Sequence, residues 1–166
     1  MIQVYTGCGK GKTTASLGLA LRASGAGLKV YILQFLKKNP TSELKAISFL
    51  SGITVEQCGR SDFVRAPGRL DKLSARKGLK RLREVLENNS YDLIILDEIN
   101  LALHFNLIKQ EDLMRIIKTS RHNTEWVLTG RNAPQAIINK ADLVSYIKCV
   151  KHYFNKGRLA RKGFEF

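Results

Sequence analysis

Short apolar, β-prone runs recur along the chain at Met1 to Tyr5, Lys29 to Leu36, Ile53 to Gln57, Asp92 to Leu96, Glu125 to Leu128 and Leu143 to Val150. Between them apolar residues repeat at helical spacing, over Lys12 to Ser24, Ser42 to Leu50, Leu70 to Glu87, Ile99 to Asn106, Glu111 to Thr119 and Pro134 to Lys140. Strands that are apolar nearly throughout, alternating with helices, predict an α/β fold: a mostly parallel sheet with helices on both faces. Gly25 and Gly27 suit the carboxyl end of the first helix. No repeat, low-complexity tract or long linker divides the chain, so one domain over residues 1–166 is expected. Gly59 to Gly68, with its charges, Pro67 and flanking glycines, is the candidate for a mobile loop.

In open α/β sheets ligands bind beyond the carboxyl ends of the strands. The unusual polar residues collect there: Gly7 to Thr13, then Gln34 and Lys37, then Asp97, Glu98 and Asn100, then Arg131 and Asn132, then Lys151 and His152. The first group is the most telling. In Thr6-Gly7-Cys8-Gly9-Lys10-Gly11-Lys12-Thr13-Thr14, closely spaced glycines lead into Lys-Thr between a strand and a helix. Glycines let the backbone approach a ligand, successive amides at a helix start cradle phosphate, the lysine neutralises its charge and the threonine hydroxyl suits magnesium. The strict phosphate-loop pattern has a glycine where Thr6 stands, and here it arrives one residue later. A glycine-rich turn without a ligand is the plain alternative.

The buried run from Asp92 ends in Asp97 and Glu98, carboxylates that would complete the loop by holding magnesium directly or through water. Either could instead cap the helix that starts near Ile99. Hydrolysis would use Glu98 to orient water, whereas transfer to another acceptor needs a second pocket; spacing does not choose between them.

Composition narrows the setting. An apolar content of 44% is ordinary for a globular chain, and no run approaches the length of about 20 residues that spans a bilayer. With the first strand opening the chain and no leader pattern, a cytoplasmic protein without membrane attachment is expected. Cys8, Cys58 and Cys149 have no paired spacing, which argues against a disulfide framework or a zinc site. Cys58 and Cys149 read as buried apolar groups, and Cys8, among loop amides, as an oxidisable thiol. The net charge is +14, and residues 60–83 supply half of it, with nine basic and two acidic side chains. Such a field attracts polyanions, but from Leu70 onward the charges interleave with leucines as on the solvent face of an amphipathic helix.

Taken together, Tyr5 to Thr14, Leu17 to Arg22, Gln34-Phe35, Asp92 to Asn100, Leu128 to Asn132, and Val150 to His152 through Arg161 to Phe166 resemble the ATP:corrinoid adenosyltransferases. The resemblance runs from the first strand to the last residue and is weak over 38–90. It implies a RecA-like P-loop domain, usually a homodimer, that moves the 5′-deoxyadenosyl group of ATP onto the cobalt of a reduced corrinoid and releases triphosphate. Under it, Gly7, Cys8, Gly9, Lys10, Gly11, Lys12, Thr13 and Thr14 form the nucleotide loop. Thr13, Asp97 and Glu98 hold Mg2+, and Lys12, Arg22, Glu98 and Arg131 serve the reaction. Phe63 is the candidate corrinoid contact, with a plain core role as its alternative, and a flavoprotein the candidate reductant. His152 and Lys151 face the site or are structural, and His104 is structural.

Two departures stand out: the family usually has Asn or Asp where Cys8 stands, and many members carry an amino-terminal arm over the active site, so corrinoid shielding is expected to come from elsewhere here or to be weaker. A basic RecA-like ATPase acting on nucleic acid is the rival reading, although no nucleic-acid module or stacking series is present in the sequence. A nucleotide-binding regulatory module without chemistry is the third.

Overall fold

The computed structural model of the chain describes residues 1–39, 41–60, 67–88, 90–120 and 123–164. Six strands, β1 (Ile2–Thr6), β2 (Val30–Phe35), β3 (Ile53–Cys58), β4 (Leu93–Asp97), β5 (Glu125–Thr129) and β6 (Leu143–Tyr146), form one sheet in the order β3-β2-β4-β5-β1-β6. Every pairing is parallel, so all carboxyl ends lie on one edge. The helices are α1 (Lys12–Gly25), α2 (Ser42–Ile47), α3 (Arg69–Asn88), α4 (Ile99–His104), α5 (Gln110–Thr119) and α6 (Gln135–Ile138), followed by a short 3-10 turn at Tyr153–Lys156.

The two-residue period of the strands divides the core. Val30, Ile32, Leu93, Ile95 and Val127 point to the face covered by Leu17, Ala20 and Ala23 of α1 and Ile47 of α2. Tyr31, Leu33, Phe35, Ile94, Leu96, Trp126 and Leu128 point to the other, under α3 to α6. The central strands are buried on both sides, which is why they read as unbroken apolar runs rather than alternating ones. On α3, Ala75, Gly78, Leu79, Leu82 and Val85 are buried, while Arg69, Lys72, Arg76, Lys77, Lys80, Arg81 and Arg83 are exposed. Its basic series is therefore a solvated helix face, and Arg81 is clamped on Glu56 by bonds of 2.9–3.1 Å.

The last strand is shorter than its sequence pattern. The Ile147 amide donates to the Thr6 carbonyl at 2.8 Å, and the Ile147 carbonyl accepts from the Gly9 amide at 2.8 Å. The chain thus leaves the sheet at Tyr146 to follow β1 into its loop, and Ile147 with the Lys148 backbone buttresses that loop instead of extending the strand. Most of the Gly59 to Gly68 segment, and Phe63 with it, lies outside the described residues.

Candidate active site

After β1 the backbone turns through Gly7 (φ 105°) and Gly11 (φ 116°), left-handed values that favour glycine. A Cβ at Gly7 would collide with the Ile147 carbonyl, and one at Gly9 would lie 2.8 Å from the Ile147 Cγ2. These two glycines thus let the loop lie flat on the segment behind it. α1 starts at Lys12 with no side-chain cap and no acidic residue in its first turn, leaving its first amides and its positive dipole end to an anion. The Lys12 ammonium donates to the carbonyls of Gly7 (2.9 Å) and Gly9 (2.7 Å). Burial lowers its pKa, against the opposing pull of Glu98.

Facing the loop is the end of β4. On the α1 side of the sheet the apolar layer of Ile32, Ile95 and Val127 is followed, two residues on, by Gln34, Asp97 and Thr129. The period of two thus converts a hydrophobic layer into a polar one at the edge. Asp97, only 1% exposed, accepts four hydrogen bonds. Its Oδ1 takes the Thr13 hydroxyl at 2.9 Å and the Thr129 hydroxyl at 2.6 Å; its Oδ2 takes Gln34 Nε2 at 3.1 Å and Lys37 Nζ at 2.8 Å. Gln57 donates in turn to Gln34 at 2.9 Å. For Lys37, burial works to lower the pKa and the Asp97 carboxylate outweighs it, so the ammonium is held above its ordinary value.

Glu98 adopts φ 60° as α4 begins, and its amide donates to the Thr129 hydroxyl at 3.1 Å. Its Oε2 is buried without a hydrogen-bond partner among the described residues. Burial raises the pKa of this carboxyl, and the neighbouring Asp97 charge raises it further. Gly130 makes the approach possible, since a Cβ there would stand 3.3 Å from Glu98 Oε2 and 3.1 Å from the Leu101 amide nitrogen. Asn100 locks the two strand ends together by donating to the Leu128 carbonyl at 3.1 Å. An orphaned carboxylate oxygen, a second carboxylate and a threonine hydroxyl form an all-oxygen set that fits magnesium. No cluster of three His, Cys, Asp or Glu side chains occurs among the described residues.

The remaining expected residues are scattered around this centre. Arg131 is exposed just after β5, and its charge acts on both Lys12 and Glu98. Cys8 is exposed on the loop and Thr14 on the first turn of α1. Lys10 reaches away to the Tyr153 hydroxyl (2.9 Å) and the Phe164 carbonyl (2.7 Å), tying the carboxyl-terminal segment to the loop. Arg22 occupies the last turn of α1, exposed, ten residues beyond Lys12 and hence roughly 15 Å along the helix. His152 accepts from the Phe154 amide at 3.1 Å, a structural cap on the 3-10 turn, and His104 is exposed at the end of α4.

Thr129, Gln57 and Ile147 are the contributors that sequence reasoning passed over. The first two were accessible from the period-2 register of a parallel sheet, while the third depends on where β6 ends. A separate cavity of about 480 Å³, lined by Arg83, Tyr91, Arg115 and Thr124 among others, opens at the opposite edge of the sheet and holds none of these residues.

A parallel sheet with a glycine loop, a lysine on its backbone and an acidic strand end two strands away defines a P-loop nucleotide-binding protein of RecA-like fold. A KaiC-like protein from Pyrococcus horikoshii superposes with a TM-score of 0.56 over 99% of this chain and 75% of its own, at 16% identity, a likeness of fold alone. The chain belongs to the ATP:corrinoid adenosyltransferase BtuR/CobO/CobP family, whose model matches residues 1–166. It is 34% identical to a corrinoid adenosyltransferase of Sinorhizobium, over all of this chain and 80% of that one. To a corrinoid adenosyltransferase of Escherichia coli it is 30% identical, over all of this chain and 85% of that one.

Proposed function

We propose that this chain transfers the 5′-deoxyadenosyl group of ATP to the cobalt of a reduced corrinoid. The observation that carries the reading is the 2.9 Å bond between Thr13 and Asp97, which brings the phosphate loop and the acidic strand end together in a chain of this family. Cobalt(I) is itself a strong nucleophile, so no serine, cysteine or water has to be activated. A cobalt–carbon bond forms at C5′ as the C5′–oxygen bond breaks, and the electron pair leaves with triphosphate. The protein's task is to hold C5′ in line and to meet the charge on the leaving group. The amides of Gly7 to Thr14 and the Lys12 ammonium grip the polyphosphate, with Arg131 beside them and Arg22 contributing longer-range positive charge. Mg2+ held by Thr13 and Glu98, with Asp97 in support, would supply further charge neutralisation.

Phe63 lies outside the described residues, and its proposed contact with the corrinoid rests on the resemblance. A single-domain homodimer served by a flavoprotein reductant, acting in the cytoplasm, completes the proposal; among the described residues no helix is long and apolar enough to cross a membrane. The test is chromatography of the products formed with ATP, Mg2+ and chemically reduced corrinoid. Triphosphate with a light-sensitive alkylcorrinoid supports the transferase, and ADP with phosphate contradicts it.

A further inference from the structure

Lys37 is held in place by its backbone. Leu36, just before it, has φ 59°, a left-handed conformation disfavoured for leucine, and turns the chain back toward the site. The Leu36 amide donates to the Cys58 carbonyl at 2.9 Å, and a Cβ at Gly59 would collide with the Lys37 amide. The end of β3 thus closes tightly on this turn. The ammonium that results lies 2.8 Å from Asp97 Oδ2 and 3.5 Å from Thr13 Oγ1, between two of the groups assigned above to magnesium. Its side chain is 30% exposed, against 1% for Asp97, so Lys37 has a way out and Asp97 has none.

We propose that Lys37 is a resident cation of the metal seat, which a divalent ion must displace from Asp97 and Thr13 in order to bind. The inference rests on the reading of Thr13, Asp97 and Glu98 as that seat. The Thr13 and Thr129 hydroxyls occupy Asp97 Oδ1, so a divalent ion that reaches Asp97 meets Lys37 at Oδ2, and two cations on one buried carboxylate oxygen repel strongly. A metal entering alone gains Asp97 only by expelling an ammonium that then lacks a partner. A metal entering with polyphosphate offers the displaced ammonium new oxygens, so Lys37 couples metal binding to nucleotide binding, and the coupling is reciprocal. It also keeps the buried Asp97 compensated at other times.

The test is titration of the full chain with Mn2+ alone, followed by the electron paramagnetic resonance signal of the free ion. Lys37→Met should bind Mn2+ about tenfold more tightly than the wild type, and Lys37→Arg, which keeps the charge, should stay as weak as the wild type. ATP should raise Mn2+ affinity less in Lys37→Met than in the wild type. Lys37→Met binding Mn2+ no more tightly than the wild type overturns the proposal. Should this variant fail to fold without metal, Mn2+ present during refolding should restore the native fluorescence of Trp126; failure to do so also overturns it. Asp97→Asn separates the two levels of the argument. Unchanged Mn2+–ATP affinity in Asp97→Asn removes the metal seat itself, whereas loss there with no gain in Lys37→Met removes only the role of Lys37.

Discussion

Lys12 is 8% exposed, and its ammonium donates to two carbonyls of the loop, at Gly7 and Gly9. Its removal should therefore cost function rather than fold. Lys12→Ala should lower adenosyl transfer by about 10²- to 10³-fold, the usual loss for one preorganised charge-stabilising donor, with the melting temperature nearly unchanged. Wild-type turnover in this variant would contradict the assignment. Glu98 makes a different prediction. Its folded-state pKa lies above its unfolded value because of burial and the adjacent Asp97 charge. Its stabilising contribution is then complete below the ordinary carboxylate pKa and is lost as pH rises through the raised one. In metal-free buffer Glu98→Gln should melt higher than the wild type at neutral pH, and the difference should close on acidification toward the ordinary carboxylate range. A gap that widens on acidification would refute the sign.

At the scale of elements, glycines mark where two elements touch. A Cβ at Gly78 of α3 would overlap Cys58 Sγ and stand 3.1 Å from Phe35 Cε1. Gly78→Val should thus destabilise by about 1–3 kcal/mol, as overpacking does, without altering transfer per folded molecule. Fluorescence of Trp126, the single tryptophan, would follow the unfolding. Gly9→Val acts oppositely: it drives the loop off Ile147 and should lose ATP binding, read by calorimetry, with little change in melting.

Much of this level is visible in the sequence, because alternating apolar runs and helical stripes fix a parallel sheet. The loop glycines and Asp97-Glu98 announce themselves by residue type. Thr129 and Gln57 do not, since each becomes a site residue only through the strand beside it. Ile147 is hidden for another reason: hydrogen bonds to Thr6 and Gly9, rather than hydropathy, end β6. Lys37 is visible as a lysine after a strand, but its aim into the site comes from the left-handed Leu36, which no local propensity foretells.

For the whole molecule the excess of positive charge raises the nucleic-acid alternative, and the fold answers part of it. The basic residues of α3 line its solvent side, opposite a buried apolar stripe, with Glu56 and Glu84 paired among them. The edge strand β6 leaves Leu143, Val144 and Tyr146 between 42% and 70% exposed, an unpaired sheet edge of the kind proteins tend to cover. Sedimentation should accordingly report a particle of twice the 18.7 kDa chain, and a monomer at micromolar concentration would oppose the proposed homodimer. The central claim is that the gripped polyphosphate leaves as one piece when a metal nucleophile attacks C5′. Separation of the products from ATP, Mg2+ and reduced corrinoid decides it most directly: equimolar triphosphate and photolabile adenosylcorrinoid are predicted, while ADP and phosphate with the corrinoid unaltered would contradict the account.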